Sequence, residues 1–256
     1  MDNNYIETKF KYIRLKTISS KEIYFIRHGK TSWNELGKTQ GQEADIELND
    51  IGIKEAVITG KYLEKYRTYD KKFDCIISSP MLRCQKTATI IAKELDFNNK
   101  IIYNDNIKEV KKGNMSGLTN NDELMMKLNK YVIEKMKEIA DPIDKYEIEE
   151  SYKAEKFYNK IIEDNKIDIT GVETARELLD RVNRFIKFLQ ETKYKKIIVI
   201  SHSGLLDILL KTIFRINVLP KGDMKNGKNC SICYCRMTDN EMIMVSPQNT
   251  EHLILQ

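Results

Sequence analysis

The sequence predicts an α/β protein in three layers, with helices on both faces of a mostly parallel mixed sheet. Three observations predict it. Short, nearly continuous apolar runs at Tyr24-Phe25-Ile26, Cys75-Ile76-Ile77 and Ile197-Ile198-Val199-Ile200 read as strands buried on both faces. Each run is followed by a stretch with apolar residues at helical spacing, the alternation that brings strands together in parallel. Two of the chain's three histidines, His28 and His202, lie within two residues of the end of such a run. In open α/β sheets that end of the strand is where ligands bind.

The elements follow in order. Residues 1–20 are polar and aromatic without a period, and read as an N-terminal extension. The first strand spans Glu22–Ile26 and stops at Arg27-His28-Gly29, opening a loop that runs through Gly41. Asn49 and Asp50 offer caps for a helix to about Tyr66, with Ala56, Val57, Gly60 and Leu63 on one side. After the second strand, Pro80 suits a first helical turn, and Ala88, Ile91, Ala92 and Leu95 carry that helix on. Ile101–Tyr103 reads as a third strand.

Residues 119–170 read as a helical insertion, either a cap that shapes a pocket or a surface excursion without a role. Leu124, Leu128, Tyr131, Val132 and Ile139 form one stripe, Pro142 interrupts it, and Tyr152, Phe157, Ile161 and Ile162 suggest a second helix. Its apolar content is too small for a separate core, so residues 1–256 are read as one domain. Leu178, Leu179, Val182, Phe185, Ile186 and Leu189 then mark an amphipathic helix. The strand at 197–200 ends at Ser201-His202-Ser203-Gly204, and Leu205 to Phe214 continues as an apolar helix. Residues 230–237 and 241–246 read as a hairpin.

Composition narrows the function classes. The chain has 256 residues, 41% hydrophobic and 32% charged, which excludes a simple disordered chain. No stretch approaches the ~18 apolar residues of a membrane span, and Met1-Asp2-Asn3-Asn4 lacks a secretory pattern. Five cysteines, an odd number, read as reduced thiols in a cytoplasmic protein. The net charge of +5 comes from lysines spread along the chain, so it reads as a solvated surface rather than a nucleic-acid interface. Cys230, Cys233 and Cys235 lack the second half of a zinc motif, and on a strand Cys233 and Cys235 share one face while Cys230 takes the other. No metal and no cofactor are expected. Trp33 is expected to pack rather than react.

The strand ends carry the chemistry. Arg27 sits beside His28 in a chain that otherwise favours lysine, and a guanidinium fork grips phosphate oxygens bidentately. Arg27-His28-Gly29-Lys30-Thr31-Ser32-Trp33-Asn34 resembles the signature of the histidine phosphatase superfamily, the phosphoglycerate mutase-like proteins. Further segments match in the family's order. They are Gln40-Gly41 with Leu48 and Gly52; Ser78-Ser79-Pro80-Met81-Leu82-Arg83 with Thr87-Ala88; Glu109 with Gly113 and Gly117-Leu118; and Ser201-His202-Ser203-Gly204. Asn249 with His252-Leu253 resembles a C-terminal motif of phosphatase members. One tripeptide is weak, but five ordered segments are specific.

The resemblance implies the phosphoglycerate mutase-like fold and a phosphoryl-transfer enzyme acting on a small phosphorylated substrate. His28 is then the nucleophile and becomes a phosphohistidine. Arg27, Arg83 and His202 clamp the phosphoryl oxygens as three cations, with Asn34 and the Ser203 backbone N–H as further donors. Glu109 protonates the leaving oxygen and then activates water.

Three departures favour a phosphatase over a phosphoglycerate mutase. Lys38-Thr39-Gln40-Gly41 is like the phosphatase branch. Glu109 is followed by Val110-Lys111-Lys112, without the arginine that holds a mutase substrate's carboxylate. Asp207 stands where many members carry an arginine, either facing the site or turned to solvent. Gly171-Val172-Glu173-Thr174 departs from the family's Gly-Glu-Ser, which questions substrate contacts from that loop. A non-catalytic phospholigand-binding module is the alternative from another class, and a homodimer is left open.

Overall fold

The structure is a computed structural model that describes residues 20–65, 72–138, 167–214, 227–238 and 241–254, the side chains of 132–138, 175 and 248 excepted. The N-terminal extension up to residue 19 and the second helix of the insertion lie outside the described residues.

Six strands form one sheet: β1 (Lys21–Arg27), β2 (Cys75–Ser78), β3 (Ile102–Tyr103), β4 (Lys196–Ser201), β5 (Ile232–Met237) and β6 (Met242–Asn249). Their order is β3-β2-β4-β1-β5-β6. β3, β2, β4 and β1 run parallel, while β5 and β6 form the antiparallel hairpin. The helices are α1 (Ser32–Glu35), α2 (Asp50–Lys65), α3 (Leu82–Glu94), α4 (Glu123–Glu138), α5 (Ala175–Glu191) and α6 (Ser203–Phe214).

Strand alternation sorts the core into two halves. Ile23, Phe25, Cys75, Ile77, Ile197 and Val199 face α5 and α6, meeting Leu178, Val182, Phe185, Leu205 and Leu209. Ile26, Ile76, Ile198 and Ile200 face the other way, against Leu63 of α2 and Ala88 and Ile91 of α3. The three-layer α/β/α reading therefore holds, and the apolar runs are continuous because both faces are covered. α4 belongs to a separate small cluster in which Leu128 packs on Met115, Ile167 and Ile169.

Register places the site. β1 and β4 pair with Arg27 opposite Ser201, and Ser78 of β2 pairs with Ile200. The carboxyl ends of three parallel strands thus lie side by side and bring His28, Ser79 and His202 to one edge. Cys233 and Cys235 share the α5/α6 face, as alternation requires. Cys230 is not on the strand at all; it precedes β5 with φ of 55°, a turn conformation.

Candidate active site

The loop after β1 is built to bring backbone close. A Cβ at Gly29 would meet the Gly52 carbonyl oxygen at 2.5 Å, so the start of α2 packs directly against residue 29. Thr31 then caps α1 in a capping box with Asn34. The Asn34 Oδ1 accepts from Thr31 N at 3.1 Å, Thr31 Oγ1 at 3.1 Å and Asn229 Nδ2 at 3.2 Å. With its oxygen committed, the Asn34 amide group is the end left to donate.

His28 is buried at the centre. Its Nδ1 lies 2.8 Å from the Gly29 carbonyl oxygen, which only accepts, so Nδ1 carries the proton and Nε2 holds a free lone pair. Burial first, then the Arg83 and Arg27 charges, hold its pKa well below the ordinary 6.5. The ring is therefore neutral at neutral pH, with Nε2 unprotonated. The His202 ring faces it with centroids 5.3 Å apart.

Two guanidiniums border this pair. Arg83, fully buried on the first turn of α3, donates from Nε to His202 Nδ1 at 3.1 Å and from Nη2 to the Gly41 carbonyl at 3.1 Å. Arg27 donates from Nη1 to the Gly227 carbonyl. Among the described residues, Arg83 Nη1 and Arg27 Nε are buried without an acceptor. Two cationic N–H groups left open in one buried site suit an anion.

His202 departs from the expected third cation. Its Nδ1 accepts from Arg83, so that nitrogen has no proton, and Nε2 donates to Ser79 Oγ at 2.9 Å. Burial first, then Arg83, push its pKa well below 6.5. In this arrangement it meets Arg83 as a neutral ring. Ser203 opens α6, where the first N–H groups have no intrahelical partner.

Glu109 lies 6% exposed against the same helix start. Oε1 accepts from Leu205 N at 3.0 Å and Val110 N at 2.8 Å, and Oε2 accepts from Gly204 N at 3.3 Å. A Cβ at position 204 would stand 2.7 Å from Oε1, so a side chain there would displace the Glu109 carboxylate. The structure thus gathers Arg27, His28, Arg83, Glu109, His202 and the start of α6 from four separate segments.

Other expectations resolve differently. Asp207 is fully buried and pairs with Lys211 at 3.0 Å, so it neither turns to solvent nor adds net charge, and it no longer bears on substrate choice. Glu173, in the loop that departs from the family's Gly-Glu-Ser, pairs with Arg181. His252 and Asn249 pack on α2, through Thr59 Oγ1 and the Tyr62 hydroxyl, away from the histidine pair. Trp33 packs, as expected, beneath Gly117.

Sequence reasoning missed Asn229, which also donates to the His28 carbonyl at 3.0 Å, and Gln42, which donates to the Glu109 carbonyl at 2.7 Å. No sequence signal marked the first, since the positive φ of Cys230 that follows it is visible only in the fold. Among the described residues no cluster of three or more His, Cys, Asp or Glu side chains could hold a metal, and no helix is long and apolar enough to cross a membrane.

The comparisons with known proteins agree with this geometry. The chain is 27% identical over 251 residues to a metal-independent phosphoserine phosphatase of Arabidopsis thaliana, covering 96% of this chain and 90% of that one. It is 38% identical over 101 residues to a phosphoglycerate mutase of Schizosaccharomyces pombe, covering 39% of this chain and 46% of that one. The fold matches the crystal structure of a phosphoglycerate mutase from Bacillus anthracis with a TM-score of 0.68 at 19% identity, over 93% of this chain and 96% of that one. The sequence profile of the histidine phosphatase superfamily (branch 1) matches residues 23–136 and 134–250, which together span most of the chain. With the paired histidines, the two guanidiniums and the carboxylate at one sheet edge, this chain belongs to the histidine phosphatase superfamily and is a phosphoryl-transfer enzyme.

Proposed function

We propose that the chain is a metal-independent phosphatase that hydrolyses a small phosphomonoester through a phosphohistidine at His28. The observation that carries this reading is a neutral His28 with Nε2 free, beside two buried guanidinium N–H groups that lack acceptors. Arg27 and Arg83 hold the phosphoryl oxygens, with the Asn34 amide and the Ser203 N–H as further donors. Two fixed guanidiniums supply the charge that a metal would otherwise bring.

In the first step His28 Nε2 attacks phosphorus, the bond to the leaving oxygen breaks, and that oxygen takes a proton from Glu109. Oε2, held by one long contact, is the oxygen suited to carry that proton. In the second step the Glu109 carboxylate takes a proton from water, and the water oxygen attacks phosphorus. The phosphorus–nitrogen bond breaks, and neutral His28, protonated Glu109 and inorganic phosphate result.

A phosphoserine phosphatase among the relatives makes phosphoserine the first substrate to test. The departures after Glu109 and at Lys38-Thr39-Gln40-Gly41 favour hydrolysis over mutase activity. Five free, buried thiols fit a cytoplasmic protein.

The experiment is phosphate release from an aryl phosphate and from phosphoserine without added metal, for the intact protein and His28→Ala. Release by the intact protein alone, with acid-labile phosphate trapped on it and not on the variant, is expected. Trapping on His28→Ala would refute the nucleophile. Interconversion of phosphoglycerates without phosphate release would make the chain a mutase. Phosphate-ester binding without turnover would make it a binding module.

A further inference from the structure

Glu109 must be held to a fraction of an ångström to pass a proton, yet no regular element holds it. It follows β3, a two-residue strand, and a single helical turn at Asp105–Ile107. Beyond it, the Lys112–Val172 bridge is isolated. Something else must fix this backbone.

We infer that Arg181 is the positioning residue for the general acid. Arg181 is 6% exposed. A guanidinium has five N–H donors, and every one is engaged. Nη1 donates to the carbonyls of Asn106 at 2.9 Å and Lys108 at 2.8 Å, and Nη2 donates to the carbonyl of Glu109 at 3.1 Å. The other two donors, Nε and the second Nη2 hydrogen, grip both oxygens of Glu173. Three donors thus fall on three carbonyls within four residues, the stretch that ends at the acid itself.

Both ends of this clamp are anchored. Arg181 is followed by Val182, and with Leu178 and Phe185 that residue is buried in the sheet core, so the guanidinium rides on a rigid helix. Glu173 orients the fork and pairs with the same segment a second time. It accepts from Lys111 N at 3.3 Å through Oε2, and its own N–H donates to the Lys111 carbonyl at 3.2 Å. A buried ion pair serving stability alone could be replaced by apolar residues at little cost. Such a pair has no need of the Glu109 carbonyl, and that contact ties this one to the acid.

The inference rests on the phosphatase reading and on Glu109 as its acid, and a leaving-group comparison tests it. Dinitrophenolate departs without a proton, whereas the alkoxide of phosphoserine needs one. kcat/KM reports only steps up to departure of the leaving group, so the water step does not enter. For Arg181→Lys, which keeps the charge opposite Glu173 but loses the fork, kcat/KM for phosphoserine is expected to fall about 10- to 100-fold. For 2,4-dinitrophenyl phosphate it is expected to change less than about twofold, since no acid catalysis is lost there.

Gln42→Leu removes the other donor to the Glu109 carbonyl from a less buried position, and should show the same split more weakly. It also covers the case in which Arg181→Lys fails to fold. Glu109→Gln should show the widest split. Equal losses on both substrates would reduce Arg181 to a structural or phosphate-site role, and no loss on phosphoserine would remove it from the reaction. An intact protein that cleaves neither ester would overturn the phosphatase reading itself, an outcome read before any variant.

Discussion

Replacing His252 with glutamine should take away part of this protein's sensitivity to acid. His252 is 4% exposed, its Nε2 lies 3.1 Å from Thr59 Oγ1, and its ring stacks on Tyr62 with centroids 4.8 Å apart. Burial brings its pKa from 6.5 down to about 4. The folded ring is therefore neutral where the unfolded chain already binds a proton, and stability drains away as pH falls below the unfolded value of 6.5. The loss ends near the folded value of about 4, where both states are protonated. Proton linkage puts His252's share at about 2 kcal/mol between pH ~7.5 and pH ~5. His28 and His202 are depressed in the same direction and add to the total slope. Glu55, raised mainly by burial, works with the opposite sign. All three groups are present in both proteins and cancel in the difference. Urea unfolding of the intact protein and His252→Gln across that pH range is the assay. The variant begins less stable because it loses the ring contact, but its stability should fall by about 2 kcal/mol less. Parallel curves would show that His252 is not held neutral, and the argument from burial would fail.

Gly204→Ala should separate activity from stability. The new Cβ would stand 2.7 Å from Glu109 Oε1, so kcat on phosphoserine should drop about tenfold or more. The melting temperature should hold or rise, because alanine favours a helix over glycine by about 1 kcal/mol; unchanged kcat would mean the acid does not depend on this contact. The neutral state of His28 predicts that kcat/KM for 2,4-dinitrophenyl phosphate stays level as pH falls through 6.5. A drop centred on that value would contradict the depressed pKa. Lys21 donates to the carbonyls of Leu189, Gln190 and Thr192, each at 2.7 Å, and so closes the C-terminal end of α5. Lys21→Met should lower the unfolding free energy by about 3 kcal/mol, and an unshifted urea midpoint would show that the ammonium does not hold that end.

The parts of the fold that were legible are those written in short-range pattern. Ile197-Ile198-Val199-Ile200 is apolar at every position because α5 and α6 cover one face and α2 and α3 the other. His28 and His202 share a pocket because β1 and β4 are direct neighbours in parallel register. Nothing local says that β4 lies between β1 and β2, and that order is what closes the site. The protonation pattern was also beyond reach. His202 looked like a cation until Arg83, 119 residues away in sequence, proved to donate to its Nδ1. Arg181 was hidden for a similar reason. An arginine on an amphipathic helix reads as part of the wet face, and only the fold shows that residues 106–109 cover it.

Two consecutive residues join the parts of the site that bind charge and move protons. The Gly41 carbonyl accepts from Arg83 Nη2, and the Gln42 side chain donates to the Glu109 carbonyl. Gly41 has no room for a side chain, since a Cβ there would meet Lys112 backbone N at 2.8 Å. The loop is therefore pressed against the segment that carries the acid, and a shift that loosened Arg83 would pull on the Glu109 backbone as well. A change that displaces the backbone of this loop should therefore disturb phosphate binding and protonation of the leaving group together, whereas the Gln42 side chain reaches only the segment of Glu109. They can be tuned separately through Arg181, which touches the acid's segment and leaves the phosphate clamp alone. Substitutions at Gly41 should therefore weaken both substrates of the leaving-group comparison together, whereas those at Arg181 should divide them.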